Sequence, residues 1–305
     1  MSPLPIESTE FPQLYPFTET RDFLDIRVGI TRLREKSEEQ LKTLLKKLKH
    51  PWNIFELNDE SLRADFKAIT KGRVSDAIPE SVQVMKSTNI FIEAGATISH
   101  CMLNASGGPI YIGKDCEIME GANIRGPFAM LEGSVIKMGA KIYGATTIGP
   151  FCVAGGEIKN SVMFGYSNKS HDGYLGDSVI GEWCNLGAGT SNSNLRNTGG
   201  PVRVWNQQTK DFELAASKCG LLMGDYSRCA VNTSFNTGTV VGVSCNIFGA
   251  GLTPKHIPSF TWGTDGETRY TFEKAVADIG NWKKMKNQTL TEAEIQKLKI
   301  IFERI

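Results

Sequence analysis

The sequence predicts an all-β fold, a left-handed parallel β-helix of hexapeptide repeats, with a small α-rich N-terminal part and a helical C-terminal extension. Three observations point there. From 112 to 148 an aliphatic side chain stands at every sixth position: Ile112, Ile118, Ile124, Met130, Ile136, Ile142 and Ile148. Two residues ahead of each of the last six lies a second slot, mostly small: Cys116, Ala122, Phe128, Ser134, Ala140 and Thr146. The register returns at Ile180 and Leu186, and again through Met223, Cys229, Phe235, Val241 and Ile247. A helix repeats every 3.6 residues and a strand every two, so a strict six fits neither. A stack of three-sided coils, each side one short strand, does fit. Glycine follows many of the aliphatic slots, as at Gly113, Gly149 and Gly242, where a tight corner favours a permissive backbone.

The elements follow in order. In the non-repetitive start, Pro12 and Pro16 punctuate an extended run and IRVGI (26–30) reads as a short buried strand. A helix begins after Ser37, which forms a capping box with Gln40; Leu41, Leu44, Leu45 and Leu48 give it an apolar stripe, so the lysines of 42–49 read as its solvated face. A second helix near 61–70 carries Leu62, Phe66 and Ile69, and 71–88 link to the first coil, where Ile92 and Ile98 keep the six-residue step. The β-helix domain is placed at 89–252, as roughly seven coils stacked about 4.8 Å apart, with interruptions at 163–173 and 195–217. The second interruption alternates apolar and polar residues around a turn, as a protruding hairpin does. The C-terminal extension, 253–305, opens on Pro254 and Pro258 and holds helices near 270–286 and 291–304, the latter with Thr291 and Glu294 as a capping box.

Composition narrows the function class. A net charge of +1 over 305 residues predicts neither a nucleic-acid nor a membrane surface. The seven cysteines are odd in number and lack a C-x-x-C spacing; they read as small buried fillers of the coil interior rather than disulfides or zinc ligands. The opening MSPLPIESTE lacks the basic and apolar runs of a secretory leader, and no stretch has the length of a membrane span. A cytoplasmic location is expected.

Hexapeptide β-helices serve acyltransferases, γ-class carbonic anhydrases and structural proteins. A carbonic anhydrase needs clustered histidines for zinc, whereas His50, His100, His171 and His256 lie far apart; no metal is expected. His171 stands out, because it sits in the first interruption and precedes the clean coils at Ile180 and Leu186. A histidine beside a rigid scaffold suits proton removal from an amine; the plain alternative is a surface-loop histidine.

The run HDGYLGDSVIGEWCNLGAGTSNSN (171–194) resembles the acetyltransferase half of the bifunctional bacterial glucosamine-1-phosphate N-acetyltransferase / N-acetylglucosamine-1-phosphate uridylyltransferase family, in the pattern H-x-x-Y-L-G-D-x-x-I-G-x-x-x-N-x-G-A-G-T-x-x-x-N. The resemblance implies His171 as general base, Tyr174, Asn185 and Asn194 as holders of the amino sugar, and Lys159 as a phosphate-binding lysine. It places Lys141 at the family's phosphate-binding arginine, with Arg125 as a rival. It also implies acetyl-CoA as co-substrate, an amino-sugar phosphate as acceptor in sugar-nucleotide synthesis, and a homotrimer with sites between subunits. No covalent intermediate is needed, and backbone N–H groups of 185–190 are expected to meet the oxyanion.

Two departures accompany the match. The hairpin at 195–217 is an insertion, so the family's lysine beyond Asn194 aligns to Lys218 only by choice of gap, with Arg203 as a substitute. Where the family has a serine contacting CoA, the counted position is Val231 with Asn232 beside it. Lys218 and Asn232 are therefore the acyl-donor candidates. At the front, LYPFTETRDFLDIRVGITRLREK (14–36) and HPWNIFELNDESLRADF (50–66) resemble the two edges of a nucleotidyltransferase-like domain, with too little chain between them for its α/β sheet. Residues 1–88 are thus expected to be a remnant cap and linker on the first coils, without uridylyl transfer. The alternative function is a non-catalytic hexapeptide-repeat scaffold or sugar-phosphate sensor that has lost acyl-donor binding.

Overall fold

The computed structural model describes residues 14–305, so the opening run and Pro12 lie outside the described residues. A parallel β-helix dominates it. On the first face the inward column runs Ile92, Ile112, Met130, Ile148, Met163, Ile180, Met223, Val241 and Ile257, each paired with the next. That makes nine layers rather than seven. The stack also reaches beyond 89–252, from Gln83–Met85 at one end to His256–Ile257 at the other.

One extra layer comes from 163–173, which is not an interruption, and another from the extension to Ile257. Ile148 pairs with Met163 and Met163 with Ile180, and Asn168–Lys169 pairs with Val153 and Ala154 in the second face. These coils are a few residues short of three hexads, which hides them from a strict six-residue reading. Glu157–Met163 and Tyr174–Ile180 run round a corner and so serve two faces at once. Asn160 and Asp177 mark the bend with positive φ.

The slot glycines need a second correction. None of Gly113, Gly149 and Gly242 has positive φ; a Cβ on Gly149 would land on the Phe164 carbonyl of the next coil. Close coil-to-coil approach requires these glycines, and the left-handed corners fall to residues such as Phe151, Tyr166, Trp183 and Tyr226. All seven cysteines are free and buried.

Each face has a different cover. The outward row of the first face, including Phe91, Tyr111, Ala129, Val162, Val179, Leu222 and Val240, is apolar apart from Thr147 and is buried, most of it under residues 14–70. This N-terminal region therefore lies along the flank of the rod instead of capping its first coils. It holds α1 (Glu38–Lys47), α2 (Asn53–Glu56) and α3 (Asn58–Thr70), and the Ser37–Gln40 capping box is present. IRVGI is buried at Ile26, Val28 and Ile30 but forms no strand. Two of its donors go to side chains instead: Gly29 N–H to Asn58 at 2.8 Å and Ile30 N–H to Asp65 at 2.9 Å, with Asp65 also paired to the buried Lys36.

The second face meets the C-terminal helices α4 (Phe272–Lys284) and α5 (Glu292–Glu303), the latter with its Thr291–Glu294 capping box. Ala275, Ile279, Leu298 and Ile301 pack on the corner residues Trp183, Tyr226, Val243 and Phe260. The third face stays open along its first coils, where Met85, Met102 and Tyr143 are exposed.

Candidate active site

His171 lies on the corner between the second face, which it leaves at Lys169, and the third, which it enters at Tyr174. Its imidazole is exposed and has no hydrogen-bond partner among the described residues. Its backbone is held from inside the coil. Lys169 occupies the inward slot paired with Ala154, a position filled elsewhere in this column by Ile98, Ile118, Ile136 and Leu186. Only 1% of Lys169 is exposed, and its Nζ donates to the His171 carbonyl. Burial pulls its pKa down to about 8, partly offset by Asp172.

A second polar residue breaks the third-face column one coil later. Asn192 fills the inward slot ahead of Phe235. It accepts from Gly176 N–H at 2.9 Å and donates to Gly176 O at 3.1 Å. Ser191 Oγ accepts from Tyr174 N–H at 3.0 Å. Side chains thus replace ladder bonds where the strand carrying Tyr174 meets the next coil.

On the outer side, Asn194 Nδ2 donates to Tyr174 Oη at 3.0 Å and to Asp177. Asn160 donates to the other Asp177 oxygen at 2.6 Å. Tyr174 lies flat over Gly176, where a Cβ would strike its hydroxyl. Burial, then Asp177 and Glu157, push the Tyr174 pKa up to about 12, so the phenol keeps its proton and can donate it to a ligand. Asp177 and Asn160 were not among the residues singled out from sequence.

The remaining candidates fall into four places. Lys141, paired with Glu157, and Lys159, paired with Gly176, are exposed on the same third face as Tyr174, toward the first coils. Lys141 and Arg125 both line a cavity of about 420 Å³ with Met102 and Tyr143. Asn185 projects from the second face, where Asn168 donates to it at 3.4 Å, so within one chain it stands across the corner from Tyr174. Asn232 lies on the same corner edge as His171, its N–H bonded to Ala188 O at 2.7 Å, beside an exposed Val231. Lys218 is exposed next to Cys219, whose N–H bonds Asn194 O.

The corner narrows the choice of oxyanion donor. The N–H groups of Asn185, Gly187, Gly189 and Thr190 are spent on Ser227, Cys229, Asp172 and Gly187. Ala188 alone in the turn 187–190 donates no backbone hydrogen bond among the described residues, and its neighbour Gly189 bonds Asp172 O, next to His171.

No family model matches the chain. The bifunctional protein GlmU of Methanocaldococcus jannaschii is 38% identical over 106 residues, 35% of this chain and 26% of that protein. The bifunctional protein GlmU of Methanococcus maripaludis strain S2 is 30% identical over 211 residues, 69% of this chain and 44% of that protein. A bifunctional sugar-1-phosphate nucleotidylyltransferase/acetyltransferase of Sulfurisphaera tokodaii is 28% identical over 209 residues, 65% of this chain and 43% of its own length. The chain thus spans less than half the length of these curated relatives. Among solved structures, the polysialic acid O-acetyltransferase OatWY superposes with a TM-score of 0.35 at 16% identity, covering 59% of this chain and 81% of that one.

Proposed function

We propose, from the premise that this chain is a homologue of the GlmU bifunctional proteins, that it is an acyltransferase acting on a sugar derivative. The specific reading is an acetyl-CoA dependent N-acetyltransferase whose acceptor is an amino-sugar phosphate such as glucosamine-1-phosphate. One observation carries it: an unpartnered imidazole, held by its own carbonyl from the buried Lys169, beside the Tyr174–Asn194–Asp177 network.

Each residue has a task in direct transfer. Tyr174 and Asn194 present hydroxyl and amide groups to the sugar, and Lys159 and Lys141 offer cations to its phosphate on the same face. His171 takes the amine proton as the nitrogen bonds to the thioester carbonyl carbon. Ala188 N–H lies on the edge where the oxyanion develops. The C–S bond then breaks and CoA leaves as the thiol, the proton returning through the imidazolium. Holding both substrates in one site supplies much of the rate gain by proximity. The cysteines take no part.

A homotrimer fits this reading. The flank of the first face is covered by residues 14–70 and part of the second by α4 and α5, while the third face is open and Asn185 stands apart from Tyr174 within one chain. A neighbouring copy would complete the site. Uridylyl transfer is not part of the proposal. Thiol release from acetyl-CoA, measured with glucosamine-1-phosphate and with unphosphorylated glucosamine, tests the assignment. Turnover with the phosphate ester well above that with the free sugar supports it; no turnover and no CoA binding leave the scaffold reading in its place.

A further inference from the structure

The hairpin Arg203–Asn206 with Asp211–Leu214 leans against the last coils and closes a cavity of about 410 Å³. Three cations line it from three separate segments: Arg196 before the hairpin, Arg203 on it, and Lys255 beyond the coil strand Thr239–Val241. None has a carboxylate partner among the described residues. Arg196 and Arg203 spend one donor each on backbone carbonyls, Pro201 O at 3.2 Å and Phe212 O at 2.7 Å. The Lys255 ammonium has no hydrogen bond among the described residues, and its pKa is lowered by burial and then by Arg196 and Arg203. Three like charges converging on one concavity repel one another unless an anion sits among them.

The walls describe the rest of the ligand. Leu195, Phe212 and Leu252 supply apolar surface, and Asn236 and Thr237 supply polar groups. Ser193 also lines the cavity and is followed directly by Asn194, which bonds Tyr174. The cavity therefore adjoins the segment that carries Asn194.

We propose that this cavity is a polyphosphate subsite built by the hairpin, holding the phosphates and flat ring of a nucleotide-type ligand whose other end reaches Tyr174 and His171. Two sources share that chemistry, the CoA of an acyl donor and a nucleotide sugar; assignment to CoA rests on the transferase reading. It gives the inserted hairpin a purpose, since the cavity loses a wall and a cation without it.

Calorimetric titration of the full chain tests this with CoA, 3′-dephospho-CoA, UDP-N-acetylglucosamine and inorganic pyrophosphate as probes. The variants are Arg203→Gln and Lys255→Gln; the second lies outside the hairpin, so a hairpin that fails to fold cannot mimic its effect. The expected result is at least about tenfold weaker nucleotide binding in each variant, the scale of one lost charge-assisted contact, with pyrophosphate competing in the wild type. A preference for CoA over its dephospho form identifies the acyl donor. Binding of the UDP sugar in place of CoA keeps the subsite and removes its acyl-donor assignment. Unchanged affinity in both variants, or no phosphate probe bound by the wild type, overturns the proposal. Acetyl transfer that proceeds with unaltered KM for acetyl-CoA in both variants overturns the assignment to CoA while leaving the transferase reading intact.

Discussion

Lys169 and Asn192 are polar residues in inward columns that are otherwise apolar, the first bonded to His171 O and the second to Gly176. Burying an ammonium costs free energy that an aliphatic residue would not, so their places there call for a local reason. For Lys169 the bond to His171 O supplies it. With a folded pKa near 8 and an unfolded one near 10.4, the unfolded chain holds a proton between those values that the fold has released. Its contribution therefore rises with pH across that window, and below about pH 8 the cost is fully present. Lys169→Met should melt no lower than the wild type at pH 7, with that advantage shrinking by about pH 10, yet turn over at least about tenfold more slowly. Thermal denaturation with steady-state kinetics checks this; lost stability with unchanged kcat would contradict it. At Tyr174, the Phe variant removes the hydroxyl that Asn194 reaches. KM for the sugar phosphate should rise about tenfold, as for one hydrogen bond to a charged or polar ligand group, with CoA affinity unchanged in a binding titration. The motif around His171 and Tyr174 was legible in the sequence. Lys169 was not, because a lysine in an aliphatic slot makes the coil look broken.

At the scale of elements, the hexad and the capping boxes were read directly, since each depends only on local spacing. Ser37→Ala should cost about 1 kcal/mol, the usual worth of an N-cap, visible as a lower urea midpoint. The short coils at Met163 and Ile180 and the helices packed on the flank were less legible. IRVGI has strand-like composition, but the N–H groups of Gly29 and Ile30 are claimed by Asn58 and Asp65, residues some thirty positions away. Nothing local announces that. The same holds for Asp177: its two partners Asn160 and Asn194 come from the coils before and after it. Asp177→Ala leaves both amides short of an acceptor, and a loss of about 1–3 kcal/mol is expected, measured by denaturant unfolding.

At the scale of the whole molecule, all seven cysteines are buried, six inside the rod and Cys219 in the cluster on its flank. Burial raises their pKa values, to about 11 for Cys101 and about 12 for Cys116, Cys152 and Cys245. An unfolded thiol ionises near 8.5. The stability these thiols contribute is therefore complete below about pH 8.5 and is lost as pH rises toward the folded values, by up to about 1.4 kcal/mol per pH unit for each thiol. Lys169 opposes this with a single proton, so the thiols win. Under reducing conditions the urea midpoint should fall between pH 7.5 and 9.5; a flat profile would mean the thiols are less sheltered than the packing shows.

The central claim is that His171 removes the proton from an amino-sugar phosphate during acetyl transfer. Its most direct test is acetyl transfer from acetyl-CoA to glucosamine-1-phosphate by wild type and His171→Ala, with the N-acetylated product identified by mass and CoA binding measured alongside. The account predicts product from the wild type and a fall in kcat of about 10² or more in the variant, the scale of a lost general base, at unchanged CoA affinity. Equal turnover in the two proteins would contradict it.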